Sequence, residues 1–282
     1  MTETARVGAD GVPSEAQLLT VLVREFEPAF AEPGYVRQKP RQVGHLLPID
    51  PSAPRPAPIP TSIDVLYRDD AVVVVDKPSG LSVHRGDDQG STFALNLTRN
   101  AIGQWVYPVH RLDRATSGVL VFALSSEHAR TLHDSFSTRT VNKTYLALVR
   151  GTPPAHGVID SPMAKREGGP DVESVTEYET LFVSDVRLAL VEARPRTGRR
   201  HQIRRHLRRI DHPIAGDVNY GNGPDNRRYR AELGLYRLAL HAQRLSFLHP
   251  ASGERVTFES AVPEDLAGPL RRIGVPETLL GA

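Results

Sequence analysis

The amino-acid sequence predicts an α+β domain built around an extensive, largely antiparallel sheet. Runs that read as strands outnumber those with helical spacing, and successive strands mostly follow short turns rather than intervening helices. The 282 residues, 39% hydrophobic and 24% charged, suffice for one large domain or two small ones of ordinary soluble composition.

Ser14 opens a helix, with Gln17 completing a capping box and Leu19, Leu22, Val23 and Phe26 on one face. Six of the thirteen residues from Pro48 to Pro60 are proline, the composition of an extended linker. Residues 1–60 therefore read as an N-terminal extension, 61–270 as the main domain and 271–282 as a C-terminal tail. The main domain opens with a strand from Ile63 to Tyr67, a turn at Asp69-Asp70 and the β-branched run Val72 to Val75. Asp76-Lys77-Pro78-Ser79-Gly80 ends that strand with turn chemistry. Val119 to Leu124 reads as a buried strand, and Ser126 as the cap of a helix whose Ala129, Leu132, His133 and Phe136 share a face. Tyr145 to Val149 is a further strand. Val175 to Val183 and Val186 to Ala193 make a hairpin around Ser184-Asp185, and Leu238 to Phe247 and Arg255 to Glu259 are late strands. There is no internal repeat.

No stretch reaches the roughly 18 uncharged apolar residues of a membrane span, so no membrane partner is expected. The first residues lack a basic region followed by an apolar core, so no secretory signal is expected. The chain has no cysteine, which excludes disulfides, thiolate zinc sites and cysteine nucleophiles and suits a reducing cytoplasm, the expected location. Net charge is only +2, but from Arg194 to Ile210 there are eight arginines and two histidines with no acidic residue. Such a segment asks for an anionic partner.

Three segments set reactive or cationic side chains beside turns and strand ends. His110-Arg111-Leu112-Asp113-Arg114-Ala115-Thr116-Ser117-Gly118 places an acid between two arginines in a loop that feeds a buried strand, where opposite charge holds it ionised. An ordinary loop salt bridge is the bland alternative. Lys143-Thr144-Tyr145 places an aromatic ring at the start of an apolar strand, either as a core tyrosine or as a platform for a nucleobase. In the third segment Thr197-Gly198 forms a loop before a helix with Ile203, Leu207 and Ile210 on one stripe. Arg200 and Arg204 flank that stripe, placed to reach an internal carboxylate, while Arg205 and Arg209 lie further toward solvent.

Together these segments resemble the RluA-type family of pseudouridine synthases over roughly residues 63 to 262. The family's HRLDxxTSG loop matches His110 to Gly118, its Lys-x-Tyr motif matches Lys143 to Tyr145, and its GRxHQ[IL]RxH motif matches Gly198 to His206. Asp76 to Gly80, Val83-His84-Arg85, Leu124 to Glu127, His212 to Asp217 and Leu240-His241-Ala242 are similar to a subgroup that acts on tRNA.

The resemblance implies a mixed, largely antiparallel sheet flanked by helices and loops, with a catalytic cleft across it. It implies an isomerase acting on uridine in structured RNA, tRNA before ribosomal RNA, with no cofactor, no metal and no obligatory protein partner. It implies Asp113 as the essential acid, Tyr145 as the ring packed against the target base and Arg204 as the partner of Asp113. Arg111 is then the side chain that replaces the flipped base. His110, Arg199, Arg200, His201, Gln202, Arg205 and Arg208 complete the expected substrate-binding set. The absence of a GxxxxGK[ST] loop and of a GxGxxG-helix signature agrees with a reaction that transfers neither phosphate nor hydride. A non-catalytic RNA-binding module would have no use for Asp113 beside its cationic surface. A metal hydrolase is disfavoured because His201 and His206 do not share a helical face and no HExxH pair exists.

Overall fold

An unbroken valine run sets the middle of one end of the sheet. The computed structural model describes residues 60–85, 92–164 and 169–281, and the helix read at Ser14 lies outside them. β1 (Asp64–Arg68) and β2 (Val72–Lys77) form a hairpin closed by Asp69, whose carboxylate accepts from the amides of Ala71 and Val72, both at 2.8 Å. There follow α1 (Ala94–Ile102), β3 (Tyr107–Pro108), β4 (Ser117–Ala123), α2 (Ser126–Ser137), β5 (Asn142–Arg150), β6 (His156–Asp160), β7 (Met163–Ala164) and β8 (Asp171–Val172). The chain continues through β9 (Val175–Val183), β10 (Leu188–Pro195), α3 (Gln202–Arg209), α4 (Gly223–Leu233), β11 (Leu240–Leu248), β12 (Arg255–Glu259) and α5 (Glu264–Arg272).

The sheet runs β1-β2-β4-β11-β5-β10-β9-β6, with β3 joined to β4 and β12 to β11, while β7 and β8 pair separately. Every pairing is antiparallel except β4 with β11, which run parallel where Ser117 faces His241 and Gly118 faces Ala242. This is the mixed, largely antiparallel sheet expected from the sequence. Alternation along β2 and β4 splits their side chains between two cores. Val73, Val75, Leu120 and Phe122 pack toward α1, and Val72, Val74, Val119 and Val121 toward α2. With both faces covered, these strands read as continuous apolar runs. A third core joins β5, β9 and β10 to α3, α4 and α5, and takes in Val275 and Leu280 from the C-terminal stretch. No helix among the described residues is long and apolar enough to cross a membrane.

Several local expectations shift by a residue or two. Ser125, not Ser126, caps α2, accepting from the His128 amide at 3.1 Å. On α2 Ala129 and Leu132 are buried but His133 is exposed. β10 starts at Leu188 because Arg187 adopts φ 59 in the turn, and Ser184 Oγ accepts from the Leu188 amide. α3 starts at Gln202, after His201 in the left-handed region at φ 55. Arg200 therefore precedes the helix and does not share a flank with Arg204, as the sequence had suggested.

Candidate active site

The loop before β4 is fastened from several sides, and Asp113 is the residue it presents. At its start, the His110 ring stacks on Phe136 with centroids 4.6 Å apart, and Nε2 accepts from the Val121 amide at 3.1 Å. Accepting there leaves the ring proton on Nδ1. Burial, with Lys143 adding to it, pushes the His110 pKa down to about 3, so the ring is neutral. Further on, the Gly80 amide donates to the Arg114 carbonyl, Arg114 Nε donates to the Gly80 carbonyl, and Ser79 Oγ donates to the Ala115 carbonyl, each at 2.9 Å. Lys77, fully buried, donates to the carbonyls of Pro78, Leu81 and Arg114 at 2.9, 2.7 and 3.3 Å.

Where the loop enters β4, His241 Nε2 lies 3.0 Å from the Ser260 carbonyl and must donate to it, so Nδ1 accepts from Ser117 Oγ at 2.9 Å. The Ser117 oxygen in turn accepts from Arg237 at 2.6 Å. Gly118, at φ 113, has no alternative residue: a Cβ there would run into the backbone of Ala242 across the parallel pairing. The motif's Thr-Ser-Gly is thus a strand-entry device.

Asp113 Oδ2 accepts from Arg204 Nη1 at 3.0 Å, and Asp113 Oδ1 lies 3.8 Å from His201 Nε2. Arg204 is only 6% exposed and makes a two-pronged contact with a second carboxylate: Nε to Asp217 Oδ2 at 2.7 Å and Nη2 to Asp217 Oδ1 at 2.9 Å. Burial works against the Arg204 charge, but Asp217 and Asp113 together outweigh it and hold its pKa above the ordinary value. Burial likewise opposes the Asp217 charge. The Arg204 hydrogen bonds and the amides of Tyr220 and Asn219 overcome it and hold that carboxyl below its usual range. Tyr145 lies with Asp113 in a cleft of about 740 Å³, together with His110, Arg111, Lys143 and Arg199. Burial first, and the Asp113 charge second, push the Tyr145 phenol up, so it keeps its proton. Burial, with Arg139 next, pushes the Lys143 ammonium down to about 8. A second cavity of about 840 Å³ shares Arg111, Asp113, Arg200, His201 and Arg204 with the first. Arg111 is exposed at the rim of both and has no hydrogen-bond or ion-pair partner among the described residues.

The structure brings Asp113, Tyr145, Arg204, Arg111, His110, Arg199, Arg200 and His201 together around these cavities. Gln202 also lines the 740 Å³ cleft, but its side-chain amide is spent on neighbours inside the protein. It is buried, its Oε1 accepts from Thr197 Oγ1 and the Arg199 amide, and its Nε2 donates to the Val175 carbonyl and Thr176 Oγ1. No hydrogen-bonding capacity is left for a ligand. Arg205 and Arg208 line neither cavity, and Arg208 meets Asp211 at 3.2 Å. The arginine segment is also less uncompensated than it reads in one dimension. Arg194 pairs with Glu179 across the β9–β10 pairing and with Glu192 on its own strand, and Arg196 pairs with Glu177 across it. Sequence reasoning gave no role to Asp217, Tyr220 or Lys77. Lys77 and Asp217 entered as members of stretches that resemble the tRNA-acting subgroup, and Tyr220 did not enter at all.

An acidic side chain held by a buried arginine, in a cationic cleft with a protonated tyrosine, has the groups that carboxylate chemistry on an anionic polymer needs. A family model described as RNA pseudouridylate synthase matches residues 71–209. Among curated proteins, tRNA pseudouridine synthase C of Haemophilus ducreyi is 40% identical over 223 residues, covering 72% of this chain and 92% of that one. The enzyme of the same name from Vibrio parahaemolyticus is 39% identical over 228 residues, with 73% and 92% covered. Among solved structures, human RNA Pseudouridylate Synthase Domain Containing 4 superimposes with a TM-score of 0.62 at 30% identity, covering 74% of this chain and 92% of that one. Human RNA Pseudouridylate Synthase Domain Containing 1 gives 0.60 at 26%, with 73% and 86% covered. The chain belongs to the RNA pseudouridylate synthase family and is an RNA-modifying isomerase of the RluA type.

Proposed function

We propose that this enzyme isomerises a uridine in tRNA, with Asp113 as its catalytic carboxylate. The observation that carries the assignment of Asp113 is its direct bond to the buried Arg204 at the floor of the Tyr145 cleft. The relatives named for tRNA, matched along more than nine-tenths of their own length, support the choice of tRNA. On this reading the enzyme works in the cytoplasm, and residues 61–270 form its catalytic domain.

The reaction breaks the N1–C1′ bond, turns the base and joins C5 to C1′; the C5 proton is lost and N1 gains one. Asp113 serves either as nucleophile or as base, and in both routes Arg204 holds its Oδ2 at 3.0 Å. Drawing uridine out of its stack costs a few kcal/mol. Stacking on an aromatic ring is worth about 1–3 kcal/mol per base, and Tyr145 supplies that ring. Arg111, unpaired and at the rim, enters the space the base vacates, since its planar guanidinium stacks where the base was. His110 is fixed as a neutral donor at the cleft wall, with Arg199 and Arg200 as phosphate contacts. His201 is placed at the carboxylate itself.

The test supplies the purified enzyme with C5-tritiated tRNA and, separately, ribosomal RNA. Tritium release from tRNA, with one pseudouridine lost from the tRNA of a strain lacking the gene, is the expected result. Release from ribosomal RNA alone would refute the substrate assignment.

A further inference from the structure

Asp113 is addressed at both of its oxygens, and both contacts trace back to one buried carboxylate. Asp217 Oδ1 accepts from the amides of Asn219 and Tyr220 at 2.9 and 3.0 Å as well as from Arg204. Fixing the Tyr220 backbone in this way sets its hydroxyl 3.0 Å from His201 Nδ1. His201 Nε2 then faces Asp113 Oδ1 at 3.8 Å, while Arg204, anchored on Asp217, bonds Asp113 Oδ2. The two arms also touch each other: Arg204 lies over the Tyr220 ring at 5.0 Å, and His201 meets that ring edge-on at 5.6 Å.

We propose that Asp217 and Tyr220 are positioning residues that hold the plane of the Asp113 carboxylate, Asp217 through Arg204 at one oxygen and Tyr220 through His201 at the other. The inference rests on Asp113 being the catalytic carboxylate.

The physical need is specific. The terminal torsion of an aspartate is broad, so one bond at Oδ2 fixes an atom but not the plane of the group. A hydrogen bond at Oδ1 as well would fix the plane, and His201 Nε2, 3.8 Å away, is the group placed to make it. Whether the carboxylate attacks carbon or removes a proton, its lone pair must be aimed to within about 0.5 Å, and a misplacement of about 1 Å can cost a hundredfold in rate.

Two features separate this arrangement from an ordinary turn. An aspartate that merely shaped the turn would need only the Asn219 and Tyr220 amides and could stay at the surface. Asp217 is 1% exposed, and its second oxygen is spent on an arginine that reaches past it to Asp113. His201 also holds a left-handed backbone at φ 55, which is unfavourable for a residue that carries a Cβ. Such strain persists where the surroundings over-determine it. Here it aims the ring between Tyr220 and Asp113. With the Tyr220 hydroxyl donating to Nδ1, the neutral ring carries its proton on Nε2, toward Asp113. Burial keeps the ring neutral by lowering its pKa, with Arg204 and Arg200 acting in the same sense and Asp113 against it. At 3.8 Å the His201 contact is longer than a hydrogen bond, and a movement of about 1 Å closes it.

The experiment compares the full-length wild type with D217N, Y220F, H201A and the double variant Y220F/H201A. It measures tritium release from tRNA, together with RNA affinity and melting temperature. D217N keeps the shape but removes the charge that orients Arg204. It is expected to lower kcat at least a hundredfold while KM and RNA affinity stay within threefold. Y220F removes one hydroxyl from a part-exposed residue and is expected to lower kcat five- to twentyfold with unchanged melting and affinity. In H201A the Tyr220 arm is already cut, so Y220F/H201A is expected to be no slower than H201A. A wild-type kcat in Y220F, or losses in the double variant that multiply, would overturn the proposal, and these outcomes hold even if D217N fails to fold. Inactivity of the wild type on every RNA would instead refute the reading on which the proposal rests.

Discussion

Replacing Arg204 by alanine removes the cation that two carboxylates share. The side chain is almost fully enclosed and makes three charged hydrogen bonds of 3.0 Å or less, two to Asp217 and one to Asp113. After truncation Asp217 keeps only the two backbone amides that reach its Oδ1, and its Oδ2 is stranded in the interior. Removing one member of a buried pair costs about 3–5 kcal/mol, most of it the charge left behind. For a folded unit of this size each kcal/mol lowers the melting temperature by about 2–4 °C, so Arg204→Ala should melt roughly 6–20 °C below wild type. If the stranded charge is the cause, the double variant R204A/D217N should recover part of that loss. R204K retains a positive charge but not the planar fork, and should fall between the two. Thermal unfolding followed by near-ultraviolet circular dichroism at fixed ionic strength measures all four proteins. A melting temperature for R204A within 2 °C of wild type, with activity retained, would refute the reasoning and return Arg204 to the surface.

Two further outcomes follow from the charges. RNA affinity should fall with salt at a log–log slope of about −3 to −4, the value for four or five neutralised phosphates. R111A/R199A should flatten that slope by about 1.5 units, whereas R194A/R196A, whose side chains are tied to glutamates, should leave it unchanged. An unaltered slope in R111A/R199A would place the RNA elsewhere, with Arg227, Arg228 and Arg230 the next to test.

Acid should destabilise the fold through its buried imidazoles. Burial holds His110 and His241 at about 3 and about 4, against an ordinary value of 6.5. Between those values and 6.5 the unfolded chain binds the proton and the folded chain does not, so stability rises with pH across that window. From pH 6 down to pH 4.5 the unfolding free energy should drop, approaching about 1.4 kcal/mol per pH unit for each of the two rings. H241Q should remove one ring's share, and an unchanged slope in that variant would contradict the assignment.

The sheet was legible where both faces are apolar, as in Val72 to Val75 and Val119 to Leu124, because burial on two sides forces an unbroken run. The catalytic loop was legible because its chemistry is contiguous from His110 to Gly118. What could not be read is what only register creates. Glu179 and Glu177, which meet Arg194 and Arg196, sit fifteen or more residues earlier and reach them through the β9–β10 pairing. Asp217 follows a glycine in a stretch that reads as a turn, and nothing local says that its carboxylate is enclosed. The internal bonds of Gln202 were not legible either, because a glutamine beside arginines has the same appearance whether it faces RNA or braces Thr197, Val175 and Thr176. The strands β3, β6, β7 and β8 are too short to stand out alone, and α4 has little amphipathic periodicity.

The central claim is that Asp113 performs the chemistry and needs its charge to do so. Asp113→Asn changes one oxygen to an amide nitrogen on a part-exposed side chain, so folding and RNA affinity should remain close to wild type. Tritium release from C5-labelled tRNA, measured with equal amounts of folded protein, should then be abolished. Turnover by the asparagine variant within tenfold of wild type would contradict the claim.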